Sequence, residues 1–315
     1  MIMMLSLIIP CYNEEACVEA MQNAVIEAFA DAPYTYETVF VDDGSRDGTG
    51  AALRRLYKAQ KCPTKVIGFT RNFGKEAAIF AGLQHCGGDL ICVIDGDLQQ
   101  PPALAREMAA MLTESDEYDM VAAYQENRGE SALLRFFKKG FYGLIKSLSD
   151  VPLYPGASDF RVFRRCVAES ILAMGEYHRF SKGIFAWVGY PTKYIPYVAA
   201  KREAGKSKWS FRKLFGYAVE GIIGFSVKPL RIATVTGFCS ALASFIYLIV
   251  VILQKLIAGI DVPGYATAIV LILFLGGMEL LCMGLIGEYV GRTFEQSKHR
   301  PIYLAREVLD YSKRL

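Results

Sequence analysis

The chain has 315 residues, enough for one large domain or two ordinary ones, and 53% of them are hydrophobic, with a mean hydropathy of +0.24 that is high for a soluble protein. A net charge of +3 is too small to point to nucleic acid. Eight cysteines without Cys-x-x-Cys spacing and three scattered histidines, His85, His178 and His299, argue against a disulfide framework, a zinc site or a histidine-centred triad.

Residues 1–10 are apolar but lack a basic leader and a small-residue cleavage site, so they read as a first strand rather than a signal peptide. Strand-like and helix-like patterns then alternate. Residues 5–10, 38–41, 65–69 and 90–94 read as strands, and 15–29, 49–60 and 75–85 as helices, which predicts a mainly parallel sheet. Each strand runs into a polar cluster: Cys11-Tyr12-Asn13-Glu14, Asp42-Asp43-Gly44-Ser45, Arg71-Asn72-Phe73-Gly74-Lys75 and Asp95-Gly96-Asp97. A lone Asp-x-Asp is usually a polar turn after a core strand. Four polar clusters in succession, three of them with carboxylates, belong to one sheet edge, where open α/β sheets bind ligands. Asp95 and Asp97, one residue apart around a glycine, suit a hard divalent cation holding a nucleotide diphosphate.

Absences narrow the class. No Gly-x-Gly-x-x-Gly follows the first strand, which disfavours an NAD enzyme, and Gly205-Lys206-Ser207 lacks the first glycine of a P-loop because position 200 is Ala200.

Pro10-Cys11-Tyr12-Asn13-Glu14, Asp42-Asp43-Gly44-Ser45, Asp95-Gly96-Asp97-Leu98-Gln99 and Pro101 together resemble the inverting glycosyltransferases of family 2. Ser158-Asp159-Phe160-Arg161, the run from Arg202 to Lys208, and Gly287-Glu288-Tyr289-Val290-Gly291-Arg292 resemble its polyprenyl-phosphate branch, which includes dolichol-phosphate mannose synthase and the bactoprenol glucosyltransferases. Arg71-Asn72-Phe73-Gly74-Lys75-Glu76 is closest to the bactoprenol group. The likeness spans nearly the whole chain. It implies an α/β fold of the GT-A type, a Rossmann-like mixed sheet, followed by a two-helix transmembrane hairpin.

The hairpin is also written in the composition. Residues 232–253 carry no charge over 22 positions, long enough to cross a hydrocarbon core of about 30 Å, and 265–287 match that length with one charge, Glu279. Lys228 and Arg231 before, and Arg292, Lys298 and Arg300 after, favour cytoplasmic ends. Glu279 facing lipid would cost about 2 to 3 kcal/mol, so it is expected to face a helix partner or a neighbouring subunit. Two basic-aromatic amphipathic stretches, about 131–148 and 209–224, suit anionic headgroups; an ordinary core-facing helix would show the same stripe. The expected organisation is a cytoplasmic catalytic domain over 1–226, a hairpin over 227–290 and a cytoplasmic tail over 291–315, in the cell's inner membrane.

The reaction implied is transfer of one hexose, glucose from UDP-glucose on the family likeness, to polyprenyl (undecaprenyl) phosphate with inversion. UDP-N-acetylglucosamine, GDP-mannose or a modified-sugar donor stays open. Mg²⁺ or Mn²⁺ would be bound through Asp97, with help from Asp95 or Gln99. The resemblance puts Pro10, Tyr12, Asn13, Glu14, Asp42, Asp43 and Asp95 around the nucleotide, with Gln99 beside them. Asp159 matches the position discussed as base, although a phosphate monoester with a second pKa of about 6 is already a nucleophile. Asp97, Asp159 and Arg202 are the catalytic candidates, and Arg161, Arg202, Lys206 and Lys208 the acceptor-phosphate candidates. Expected partners are the nucleotide sugar, the polyprenyl phosphate, the bilayer and, as an option, further copies of the chain; nucleic acid is not among them. A non-catalytic membrane scaffold would not need Asp95, Asp97, Asp159 and Arg202 together. A processive polysaccharide synthase would carry Gln-x-x-Arg-Trp, which the chain lacks.

Overall fold

A computed structural model describes residues 3–125, 151, 154, 156–198, 221–258 and 264–314. The first half follows the alternation in the sequence: β1 (Met4–Cys11), α1 (Val18–Phe29), β2 (Thr35–Asp42), α2 (Thr49–Ala59), β3 (Thr64–Phe69), α3 (Lys75–His85), β4 (Leu90–Val93) and α4 (Pro102–Glu114). Then come β5 (Met120–Gln125), β6 (Ala157–Arg164), α5 (Arg165–Ala173), α6 (Ser181–Trp187), β7 (Thr192–Tyr197), α7 (Lys228–Ala258), α8 (Tyr265–Ser297) and β8 (Ala305–Leu309).

The strands form one sheet in the order β7-β5-β6-β4-β1-β2-β3-β8. Its centre, β3-β2-β1-β4, is parallel, whereas β6 and β8 run antiparallel to their neighbours. The four central strands are buried on both faces, which is why they are largely apolar, whereas the edge strands β7 and β8 are mostly half-buried or exposed. One face carries Leu5, Leu7, Ile9, Phe40 and Phe160 against α1, α2 and α4; the other carries Ile8, Val41, Ile67 and Phe163 against α3, α5 and α6. In α1 the buried positions Val18, Met21, Gln22, Val25 and Phe29 make the single stripe that a sheet-covering helix requires.

The antiparallel β6 matters for function. Its register on β4 pairs Leu90 with Arg164 and Val93 with Arg161. Continued two residues past the last pair, it sets Asp159 opposite Asp95. The beginning of β6 therefore lies at the edge where the parallel strands end.

At the opposite edge, Glu37 is fully buried. It accepts from Ser6 Oγ at 2.7 Å and Gly87 N at 2.6 Å, and pairs with Lys65 Nζ at 3.1 Å.

α7 and α8 contain apolar windows, Lys228–Gln254 and Ala268–Ser297, with mean hydropathies of 2.3 and 2.5, and neither window is buried by the rest of the chain. At 1.5 Å per residue, the 27 residues of the first span about 40 Å. Both helices outrun the stretches 232–253 and 265–287 expected from composition. Glu279 is exposed on α8, so no described part of this chain covers it, and of the two expected partners a neighbouring subunit is the one left open. The amphipathic stretches lie outside the described residues, apart from the helical 221–224.

A correction concerns 291–315. Rather than a separate tail, it supplies β8, which closes the sheet beside β3, with Arg54 and Glu307 in a two-pronged ion pair and Tyr57 Oη donating to Asp310 O at 3.2 Å. Tyr303 stacks on Phe69 at 4.8 Å, and Gln296 at the end of α8 bonds both Gly175 O and Tyr177 N. Chain segments on both sides of the hairpin thus belong to one sheet.

Candidate active site

A cleft of about 320 Å³ opens at the carboxyl edge of β1, β2 and β4, lined by Pro10, Tyr12, Glu14, Asp43, Lys75 and Asp97, with Asp95 and Gly96 in its wall. It is made by loops that fold against one another. Gly44 lies at φ +63°, and a side chain there would run into the Arg71 backbone at 2.3 Å, so only glycine lets the second loop seat on the third.

Lys75 sits at the centre. Its Nζ is 2.6 Å from Asp95 Oδ1 and 2.8 Å from Asp159 Oδ2. Burial alone would lower the lysine pKa, but the Asp159 and Asp95 carboxylates outweigh it and hold the ammonium charged. Burial likewise pushes Asp159 up, and Lys75 and Lys182 reverse that, keeping it well below the usual carboxylate range. The second oxygen of Asp159, Oδ1, is buried and makes no hydrogen bond among the described residues. Next along α3, Glu76 accepts from Ser181 N at 2.9 Å and from Ser181 Oγ, tying α3 to the start of α6. Burial and then the Asp159 charge push Glu76 up to about 7.

The Asp-Gly-Asp turn is held from behind. Gln100 donates Nε2 to Asp95 Oδ2 at 2.9 Å and accepts from Asp95 N at 2.8 Å, while Leu98 adopts a left-handed φ of 60° that brings Gln99 N to 3.2 Å from Asp97 Oδ1. Gln100, rather than Gln99, is the glutamine on Asp95. Asp97 offers hard oxygen ligands; both Asp95 oxygens are already met, Oδ1 by Lys75 and Oδ2 by Gln100, and each keeps a second lone pair for a cation. Among the described residues no set of three His, Cys, Asp or Glu side chains gathers around one point. The donors therefore fit a cation of the kind held by one or two carboxylates and completed by substrate phosphates, rather than an all-protein cage.

The other expected residues divide. Pro10, Tyr12, Glu14, Asp43, Asp95 and Asp97 share the cleft. Asn13 and Asp42 do not line it: Asn13 Oδ1 accepts from Arg46 N at 2.9 Å, pinning the first loop to the second, and Asp42 Oδ1 accepts from Ser45 N at 2.9 Å, closing the second loop on itself. Asp43 lines the cleft yet spends its carboxylate on Phe73 N at 2.6 Å and Gly74 N at 3.0 Å; burial pushes it up to about 6 despite these bonds. Arg161 is corrected outright. Only 4% of it is exposed, its guanidinium lies 3.9 Å from the Phe185 ring centre, and Nη2 donates to Ser158 O at 2.8 Å, so it is packed behind Asp159 instead of open to a phosphate. Arg202, Lys206 and Lys208 lie outside the described residues.

Lys75 was not among the sequence candidates, though the chain carried a signal for it. It is the first residue of α3, where a cation opposes the helix dipole, and such a charge needs a compensating partner.

A model of glycosyl transferase family 2 matches residues 6–172, which hold most of β1, all of β2 to β4, Asp95, Asp97 and Asp159. The chain belongs to glycosyl transferase family 2. A second model, the GtrB C-terminal hairpin, matches 228–293 of this glycosyltransferase, covering most of α7 and α8. It is 41% identical to the bactoprenol glucosyl transferase of Shigella phage SfV, over 96% of this chain and 98% of that one. It is equally similar to the prophage bactoprenol glucosyl transferase homolog of Escherichia coli K12, at 41% over 97% and 99%. Among solved structures, the mannosyltransferase PcManGT of Pyrobaculum calidifontis has a TM-score of 0.48 at 19% identity, covering 70% of this chain and 61% of that one, a likeness too loose to inform the site.

Proposed function

We propose that this glycosyltransferase moves a single glucose from UDP-glucose to polyprenyl phosphate, inverting the anomeric carbon, at the cytoplasmic face of the inner membrane. The observation that carries this reading is the Asp95–Lys75–Asp159 cluster in a cleft of the same sheet to which the chain returns after two exposed apolar helices. A water-soluble donor is thereby held by a domain that cannot leave the lipid. The relatives that act on bactoprenol resemble the chain along nearly its whole length, which supports the same acceptor class here.

A Mg²⁺ or Mn²⁺ ion held through Asp97 and Asp95 supplies charge stabilisation to the departing nucleotide diphosphate when bound. The chain's own residues do the rest. Pro10, Tyr12, Glu14 and the loop at Phe73–Gly74 held by Asp43 bound the nucleotide, with Asn13 and Asp42 fixing the loop that follows β2. Lys75 balances two carboxylates that would otherwise repel both the donor diphosphate and an incoming phosphate. A carboxylate held as acidic as Asp159 is a weak base, and a dianionic acceptor needs none, so Asp159 positions Lys75. Arg202, Lys206 and Lys208 are retained as contacts to the acceptor phosphate.

Orientation follows from parity. β3 and β8 pair in one sheet, and two membrane crossings separate them, so both ends of the hairpin lie on one side; Lys228, Arg231, Lys298 and Arg300 favour the cytoplasm for that side. The test is to incubate full-length protein with polyprenyl phosphate, Mg²⁺ or Mn²⁺ and a panel of nucleotide sugars, and to weigh the lipids by mass spectrometry. Glucosyl polyprenyl phosphate from UDP-glucose is expected. No glycolipid from any donor overturns the reading, and a product only from another donor replaces glucose.

A further inference from the structure

Lys75 is the wall between two clefts. It lines the donor cleft together with Asn72 and Gly74, and the same three residues line a second cleft of about 410 Å³. The second cleft takes Gly224 from just before α7 and Arg292 from the foot of α8, so it lies where the hairpin joins the catalytic domain.

Its charge is one-sided. Arg71, Lys75, His178, Arg179 and Arg292 line it, and Glu76 is the one carboxylate among its lining residues. Glu76 is occupied by Ser181, and His178 by Glu295. The arginines are the less committed groups. Arg292 meets Glu288 through Nε alone, at 3.1 Å, and its terminal nitrogens make no hydrogen bond among the described residues. Arg71 lies over the Phe73 ring at 4.1 Å and donates only to Asn72 O. Arg179 is half-buried over Phe80 at 4.5 Å, bonded to the Met174 and Ile171 carbonyls with no ion pair among the described residues; its burial lowers its pKa. Arg71 is exposed, Arg292 gives only its Nε to Glu288, and Arg179 has Glu76 and Glu176 nearby without pairing with either, so Arg71 and Arg292 keep guanidinium nitrogens whose planar forks suit phosphate oxygens.

Position selects the anion. A phosphate carried by a membrane lipid must stay near the bilayer while approaching the donor, and this cleft borders both the hairpin foot and Lys75. A larger cavity of about 510 Å³ also touches the end of α8 but includes Glu295 and no donor-cleft residue. Resting on the transferase reading above, we propose that the second cleft binds the phosphate monoester headgroup of the lipid acceptor through Arg71, Arg179 and Arg292, with Lys75 facing this phosphate on one side and the donor diphosphate on the other.

The experiment measures binding of farnesyl monophosphate to the full chain in phosphatidylcholine nanodiscs by calorimetry, alongside UDP binding as a check on folding. The Arg71→Ala/Arg292→Ala variant is expected to bind farnesyl monophosphate at least tenfold more weakly while holding UDP within twofold, and Arg292→Lys to restore part of the loss. Arg179→Lys, which keeps a donor for the Met174 carbonyl, is expected to weaken the same ligand. Unchanged farnesyl monophosphate affinity in the double variant, or no binding to the wild type, overturns the proposal. Nanodiscs with phosphatidylglycerol form a second arm: if they abolish farnesyl monophosphate binding by competition, the cleft is a seat for bulk lipid headgroups and the proposal falls. If the arginine variants lose binding as expected yet no nucleotide sugar yields glycolipid, the cleft assignment stands and the transferase reading is what fails.

Discussion

The two edges of the sheet each bury a carboxylate beside a lysine, and the contrast between them separates structure from function. At the amino edge, Glu37 is fully buried, with Ser6, Gly87 and Lys65 on its two oxygens, and Lys65 Nζ also reaches His85 O at 2.9 Å. That edge is shut off from solvent, although Glu37 Oε2 makes no hydrogen bond among the described residues and is held by the Lys65 ion pair. At the carboxyl edge, Lys75 is shared by two aspartates, 40% of its side chain is open to the clefts, and Asp159 keeps a buried oxygen with no hydrogen bond among the described residues. An unbonded buried oxygen is thus common to both edges, and what marks the carboxyl edge as a place completed by a ligand is that its shared lysine opens into clefts.

The sharpest way to break the comparison is to remove one carboxylate from each edge. Asp97→Ala is expected to lower turnover by about three orders of magnitude, as loss of a principal charge-stabilising group does, while its melting temperature stays close to that of the wild type. Glycolipid formation and thermal unfolding measured on one preparation check this. Glu37→Ala should do the reverse: breaking a buried pair costs about 3 to 5 kcal/mol of stability by denaturant titration, with turnover per folded molecule preserved. If Glu37→Ala silenced a stably folded enzyme, the division between edges would be wrong.

Lys75→Met lies between these extremes. It leaves Asp95 and Asp159 facing each other without a counter-ion, at a stability cost of about 1 to 3 kcal/mol, less than for an enclosed pair because the site is partly open. It should also raise KM for the acceptor, which Glu37→Ala would not do. Equal KM values would restrict Lys75 to a structural role.

A smaller effect concerns pH. Glu76 titrates near 7 when folded, raised from 4.5, so its contribution to stability is fully present below about 4.5 and is lost as pH rises through about 7. Glu76→Gln should flatten that part of the melting-temperature profile between pH 4.5 and 7.5. A variant whose profile keeps the wild-type slope would refute the assignment. The smallest effect is expected at β8, where Glu307→Ala removes a partly exposed ion pair with Arg54 and should cost less than about 1 kcal/mol with no change in turnover.

Much of the fold was legible because strands and helices in the first hundred residues each follow one clear period. The helix expected over 75–85 is α3 with the same bounds, and the strand expected at 5–10 extends by only a residue at each end in β1. The hairpin was legible for a similar reason, since a membrane span is a local property of composition. The site was half legible. Polar clusters at strand ends show where a cleft forms, but not which side chains face it: Asn13 and Asp42 carry the same residue chemistry as Glu14 and Asp43, yet Asn13 staples the first loop to the second and Asp42 closes the second on itself.

The amino-acid sequence by itself determined the alternating sheet, the Asp-Gly-Asp turn at its edge, the apolar hairpin and the family likeness, all of them short-range patterns read within one segment. Only the tertiary structure decided that antiparallel β6 carries Asp159 to face Asp95, that Lys75 stands between them, that Arg161 turns into the core and that the last residues return as β8. Each of those depends on strand order and register between segments far apart in the chain, which no local periodicity encodes.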